Sequence, residues 1–90
     1  MIKKLILDLL PEDIKGAVPG DGRHCPIARA VTRRLRLWPG ECCVTSEWVL
    51  ACNRYKAPVN RRMMAFIQRF DCGKPVAPTR FIIRFVDKEE

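Results

Sequence analysis

Alternation opens the chain: from Lys3 to Leu9 the side chains of Leu5, Leu7 and Leu9 share one face of an extended segment, which predicts a first strand packed on a core. Pro11-Glu12-Asp13-Ile14 follows as a single helical turn, with a proline and two acids where the helix dipole favours them. Ala17 to His24 has no period and is expected to be loop. The period then becomes helical. From about Pro26 to Leu37, Ile27, Ala30, Val31 and Leu35 fall on a buried face, while Arg29, Arg33 and Arg36 line another, and Trp38-Pro39-Gly40 ends the segment. Cys42 to Ser46 and Trp48 to Cys52 are short apolar runs that predict an irregular hairpin. Asn53-Arg54 is the expected turn, with an extension through Tyr55 to Ala57. The clearest helix spans Arg61 to Asp71, where Met63, Phe66, Ile67 and Phe70 repeat at i, i+3, i+4 and i+7 behind an Asn60 cap and ahead of Gly73. Pro75 to Pro78 is a stiff connector. Thr79 to Val86 alternates again, Phe81, Ile83 and Phe85 inward and Arg80 and Arg84 outward, before the tail at 87–90, which is expected to fray.

The order β-α-β-β-α-β predicts an α+β two-layer sandwich over residues 1–90, one domain with two helices on one face of a small, four-stranded, mostly antiparallel sheet, ferredoxin-like or split βαβ. Ninety residues leave little room for a deep catalytic cleft. No apolar run approaches the roughly 18 residues of a membrane span, so no membrane partner is expected. Asp8 interrupts the apolar opening, which therefore lacks a secretory leader's core. Five cysteines, Cys25, Cys42, Cys43, Cys52 and Cys72, contain no C-x-x-C pair and point to a reducing cytoplasm.

Charge narrows the partner class. Seventeen Lys and Arg against ten Asp and Glu give +7, and no acid occurs from Gly22 to Gly40 or from Trp48 to Phe70. Arginine dominates the excess, which favours planar or phosphate-bearing partners because the guanidinium fork holds two oxygens at once. An anionic partner is the expectation.

Gly20 to Val31 gives that expectation a place. Pro26 suits a first helical position with Cys25 or His24 as cap, so the free N–H groups that follow would face the loop and, with Arg23, form an anion cradle. Asp21, Gly22, Arg23, His24, Cys25 and Ile27 are its candidate residues. Arg61 and Arg62 oppose the dipole at the next helix start, and a bound anion would reverse that penalty. If the two helices run parallel, Asn60, Arg61 and Arg62 join the same site. Asp71, set against the dipole at the far end of that helix, is a candidate to cap a loop amide, pair with an arginine or face a ligand. The alternative surface is the Arg29, Arg33, Arg36 stripe, suited to nucleic-acid phosphates or an acidic protein.

Catalysis is not expected. A Cys–His dyad would need a distant cysteine to approach His24, no structural-zinc spacing is present, and Gly20-Asp21-Gly22 lacks the later positions of a phosphate-binding loop or dinucleotide fingerprint. Neither metal nor cofactor is expected. Trp38, Trp48 and Tyr55 remain off the core stripes, enough to stack one base rather than track a strand. A nucleotide-type small molecule is therefore the first expectation. Free sheet edges also leave room for a homo-oligomer.

Gly20-Asp21, Cys25-Pro26-Ile27-Ala28-x-Ala30-Val31, Phe66-Ile67-x-x-Phe70-Asp71-x-Gly73 and Pro78-x-x-Phe81-x-Ile83 together resemble a recurring family of very small phage-encoded proteins. That resemblance implies a phage accessory role in the cytoplasm of an infected bacterium: a noncatalytic protein that binds and disables something of the host, including nucleotide signals used in antiviral defence.

Overall fold

The computed structural model describes residues 3–89. The chain forms β1 (Lys3–Asp8), α1 (Pro11–Lys15), α2 (Pro26–Leu35), β2 (Cys42–Val44), β3 (Trp48–Ala51), β4 (Tyr55–Pro58), α3 (Arg61–Asp71) and β5 (Arg80–Asp87). The α+β class and the antiparallel sheet are as the periodicity predicts.

The connectivity differs from the split βαβ expectation. Five strands take the order β1-β5-β4-β3-β2, and every described pairing is antiparallel. The additional strand arises because Cys52 and Asn53 both adopt left-handed backbone (φ 46° and 56°), which turns the chain sharply enough for Tyr55–Pro58 to pair with β3. β4 then docks β5 through Tyr55 opposite Asp87 and Lys56 opposite Val86. β5 closes at Asp87, one residue past the expected strand end at Val86, and Lys88 donates its N–H to the Arg54 carbonyl and its Nζ to Asn53 Oδ1 at 2.6 Å. Glu90 lies outside the described residues.

α2 also stops two residues short of the predicted end. Arg36 turns left-handed at φ 55°, and the Leu37 N–H reaches back to the Thr32 carbonyl at 2.9 Å, the closing bond of a Schellman-type cap.

One core lies between the inner sheet face and the helices. The β1–β5 register sets Leu5 opposite Ile83 and Leu7 opposite Phe81, so these four side chains point the same way. Ile27, Ala28, Ala30 and Val31 of α2 and Met63 and Phe66 of α3 bury into the same cluster, Phe66 meeting Phe81 edge-on at 5.6 Å. The short α1 is held differently. Its buried Asp13 accepts the Leu10 N–H at 2.8 Å and pairs with the Arg33 guanidinium at 2.9 Å, locking α1 to α2.

Candidate functional site

Construction of the loop before α2 starts with Asp21. Its Oδ1 accepts the Arg23 N–H at 3.0 Å and its Oδ2 meets His24 Nδ1 at 2.8 Å; the His24 bond, then the Arg23 amide, hold the Asp21 carboxyl below the usual range. Gly22 is required by close approach. Its carbonyl accepts the Val44 N–H at 2.8 Å, and a Cβ there would fall 2.4 Å from the Val44 oxygen.

The proposed anion cradle is already filled. Cys25 is the N-cap of α2, its Sγ accepts the Ala28 N–H at 3.4 Å, and Cys25, Ile27 and Ala28 are all buried. Burial pushes the Cys25 thiol up, and Cys42 up to about 12, so both are neutral thiols at physiological pH. The thiol therefore occupies the place expected for a ligand, and Ile27 belongs to the core.

The two helix starts do not converge either. The Gly20 N–H donates to Asp71 Oδ1 at 2.9 Å, which fixes the loop beside the C-terminal end of α3 rather than its beginning. Asp71 thus caps a loop amide, one of the roles its sequence position allowed. It ends the eleven-residue helix that Arg61 begins, which sets the two about 15 Å apart at the usual rise. There Asn60 Oδ1 accepts the Met63 N–H, Arg61 is exposed, and Arg62 lies 5.3 Å from the Phe81 ring centre. The expected convergence of the two helix starts fails because the loop before α2 meets the end of α3 and not its beginning.

The cleft that Asp21, Gly22 and Cys25 do line measures about 230 Å³ against Met64, Ile67 and Asp71. Its charged lining groups are the carboxylates of Asp21 and Asp71, which repel an anion. No protein-family model, curated protein or solved structure matches the chain. The candidate site rests on the chain's own residues.

Those residues assemble elsewhere. Arg23 and His24 point away from the cleft into a groove of about 430 Å³ along α2, where they meet Arg29, Arg33 and Arg36. The first candidate set and the alternative stripe thus contribute to one surface. Its arginines are held from behind: Arg23 donates to the Gly40 carbonyl at 2.6 Å, Arg29 to the Asp13 and Glu12 carbonyls at 3.1 Å each, and Arg33 to Asp13 and to the Asp8 carbonyl. Asp13 and Glu12 also line the groove, but Arg33 neutralises Asp13, so the cations predominate. Arg36 remains exposed beside Leu37 and Pro39. Thr32 and Gly40 complete the site without having been among the sequence candidates. Gly40 orients Arg23 from seventeen residues away, and no local pattern marks such a contact.

Among the described residues, no group of three or more His, Cys, Asp or Glu side chains could hold a metal ion. No helix there is long and apolar enough to cross a membrane.

Proposed function

We propose that the protein is a noncatalytic binder of a phosphate-bearing, nucleotide-type ligand, held in the groove along α2 rather than at the helix N-termini. The observation that carries this reading is the gathering of Arg23, His24, Arg29, Arg33 and Arg36 on one groove of about 430 Å³, a volume within the range of small-ligand sites. Carbonyl partners hold three of these guanidiniums in place, which lowers the ordering cost of engaging an anion. Leu37 and Pro39 supply an apolar margin against which a base can rest. Capture without turnover agrees with neutral, buried thiols at Cys25 and Cys42 and with a His24 ring engaged by Asp21. Sequestration of a host nucleotide signal by a phage accessory protein is the biological form of this activity that the sequence resemblance implies.

Calorimetric titration with ATP and with a cyclic dinucleotide tests the proposal. Arg23→Ala and Arg36→Ala should each weaken binding at least fivefold, about 1 kcal/mol, while Arg61→Ala and Arg62→Ala leave it unchanged. A linear duplex is the competing probe. If duplex DNA binds with a steep salt slope and both nucleotides fail at millimolar concentration, the groove serves a polymer's phosphates and the small-ligand reading falls.

A further inference from the structure

The helices cover only one face of the sheet. On the other, the β1–β5 register sets Ile6 directly opposite Ile82, and these side chains remain 45% and 46% exposed. One residue pair further along the outward row, Lys4 stands opposite Arg84. Like charges in that position destabilise a sheet. Neither cation has an ion-pair partner among the described residues. The outward positions of the five strands carry one carboxylate, Asp8, and Arg80 already holds it at 2.7 Å. Lys56, which pairs with Val86 of β5 and Leu50 of β3, adds a third cation, its Nζ 4.7 Å from the Trp48 ring centre.

We propose that this open face docks an acidic amphipathic helix of a protein partner. An aliphatic centre with a charged margin has the anatomy of a protein interface, and the uniform positive margin selects carboxylates. A partner's acids would turn the Lys4–Arg84 repulsion into attraction. The same uniform sign opposes a second copy of this face. Single-stranded nucleic acid would need free aromatic platforms, whereas the centre is isoleucine and Lys56 covers the Trp48 ring. A flat bilayer would meet the long Lys4 and Arg84 stems before the shorter isoleucines, while the ridge of a helix can seat between them. None of Lys4, Ile6, Lys56, Ile82 and Arg84 lines the groove along α2.

The test uses an 18-residue synthetic peptide with leucines at i, i+3, i+4 and i+7 and glutamates elsewhere, titrated into the labelled full chain and followed by amide shifts. Binding should perturb Ile6, Ile82 and Arg84 and leave Arg36 unmoved. K4E/R84E keeps a like-charge pair, so its folding should survive; it should weaken the peptide at least tenfold and admit a lysine-flanked version instead. I82S should weaken both peptides. The proposal is overturned if the glutamate peptide leaves these amides unmoved at millimolar concentration or shifts the α2 groove instead. It is equally overturned if oligo(dT) or anionic phosphatidylglycerol vesicles perturb the face more strongly than the peptide does.

Discussion

α2 and α3 are near twins in sequence logic and opposites in placement. Each begins at an extended residue whose side chain accepts the N–H three positions on, Cys25 to Ala28 and Asn60 to Met63, and each carries an apolar stripe. Yet α2 buries Pro26, Ile27, Ala28, Ala30 and Val31, whereas α3 buries only Met63 and Phe66. The difference comes from neighbours. α2 packs beside β1 and β2 and is clasped by α1 through Arg29 and Arg33, while α3 leans on β5 through the Phe66–Phe81 contact. A capping signal therefore locates a helix start without saying whether that start faces ligand or core.

A matched pair of truncations gives the largest contrast. Ile27→Ala in α2 removes a side chain with no solvent exposure and should cost about 3–4 kcal/mol in urea unfolding. Ile67→Ala in α3, where the residue is half-buried at the edge of the small cleft, should cost about 1 kcal/mol. Equal losses would break the contrast and place α3 as deep in the cooperative unit as α2.

The clasp between α1 and α2 comes next. Asp13→Ala strips a buried carboxylate of its bonds to the Leu10 N–H and to Arg33, and leaves that guanidinium without its counter-charge. Removing one partner of a fully buried pair costs about 3–5 kcal/mol; Arg33 is 40% exposed and can turn to water, so about 2 kcal/mol is expected. Asp13→Asn should recover part of that loss through the Leu10 bond. The same variants should loosen Arg29 and Arg33 in the groove and weaken ATP binding more than Ile67→Ala does. An unchanged affinity would separate the clasp from the site.

Much of this was legible from periodicity, and the rest depended on partners far along the chain. Leu5, Leu7, Phe81, Ile83 and Phe85 announce their strands by alternation, and Met63 and Phe66 their helix by spacing, because burial repeats with the backbone. β4 was seen only as an extension, since nothing local says that Cys52 and Asn53 will both turn left-handed. The site suffered more. Arg23 and the Arg29, Arg33, Arg36 stripe were visible as chemistry, but their union depends on the Gly40 carbonyl drawing Arg23 across, and the exclusion of Arg61 on the Gly20–Asp71 bond. Both bonds join residues distant in sequence.

Asp21 supplies the smallest effect and a fine test of how independent the two helix starts are. Its carboxyl is lowered mainly by the His24 bond and then by the Arg23 amide, and that of Asp8 mainly by the Arg80 bond. A carboxyl whose folded value is depressed contributes stability that is present above its ordinary value of 3.8 and lost as pH falls through the folded value. The melting temperature should therefore decline below about pH 4, and Asp21→Asn should flatten part of that decline, with Asp8→Asn flattening another part. Both groups are solvent-exposed, so added salt should shrink the effect. Amide exchange in Asp21→Ala distinguishes the helix starts: the Arg23 amide, which loses its side-chain acceptor, should exchange faster while the capped Met63 amide holds. Equal acceleration at Met63 would mean that the Gly20–Asp71 bond transmits loosening along α3, joining the two starts in one cooperative unit despite their separation.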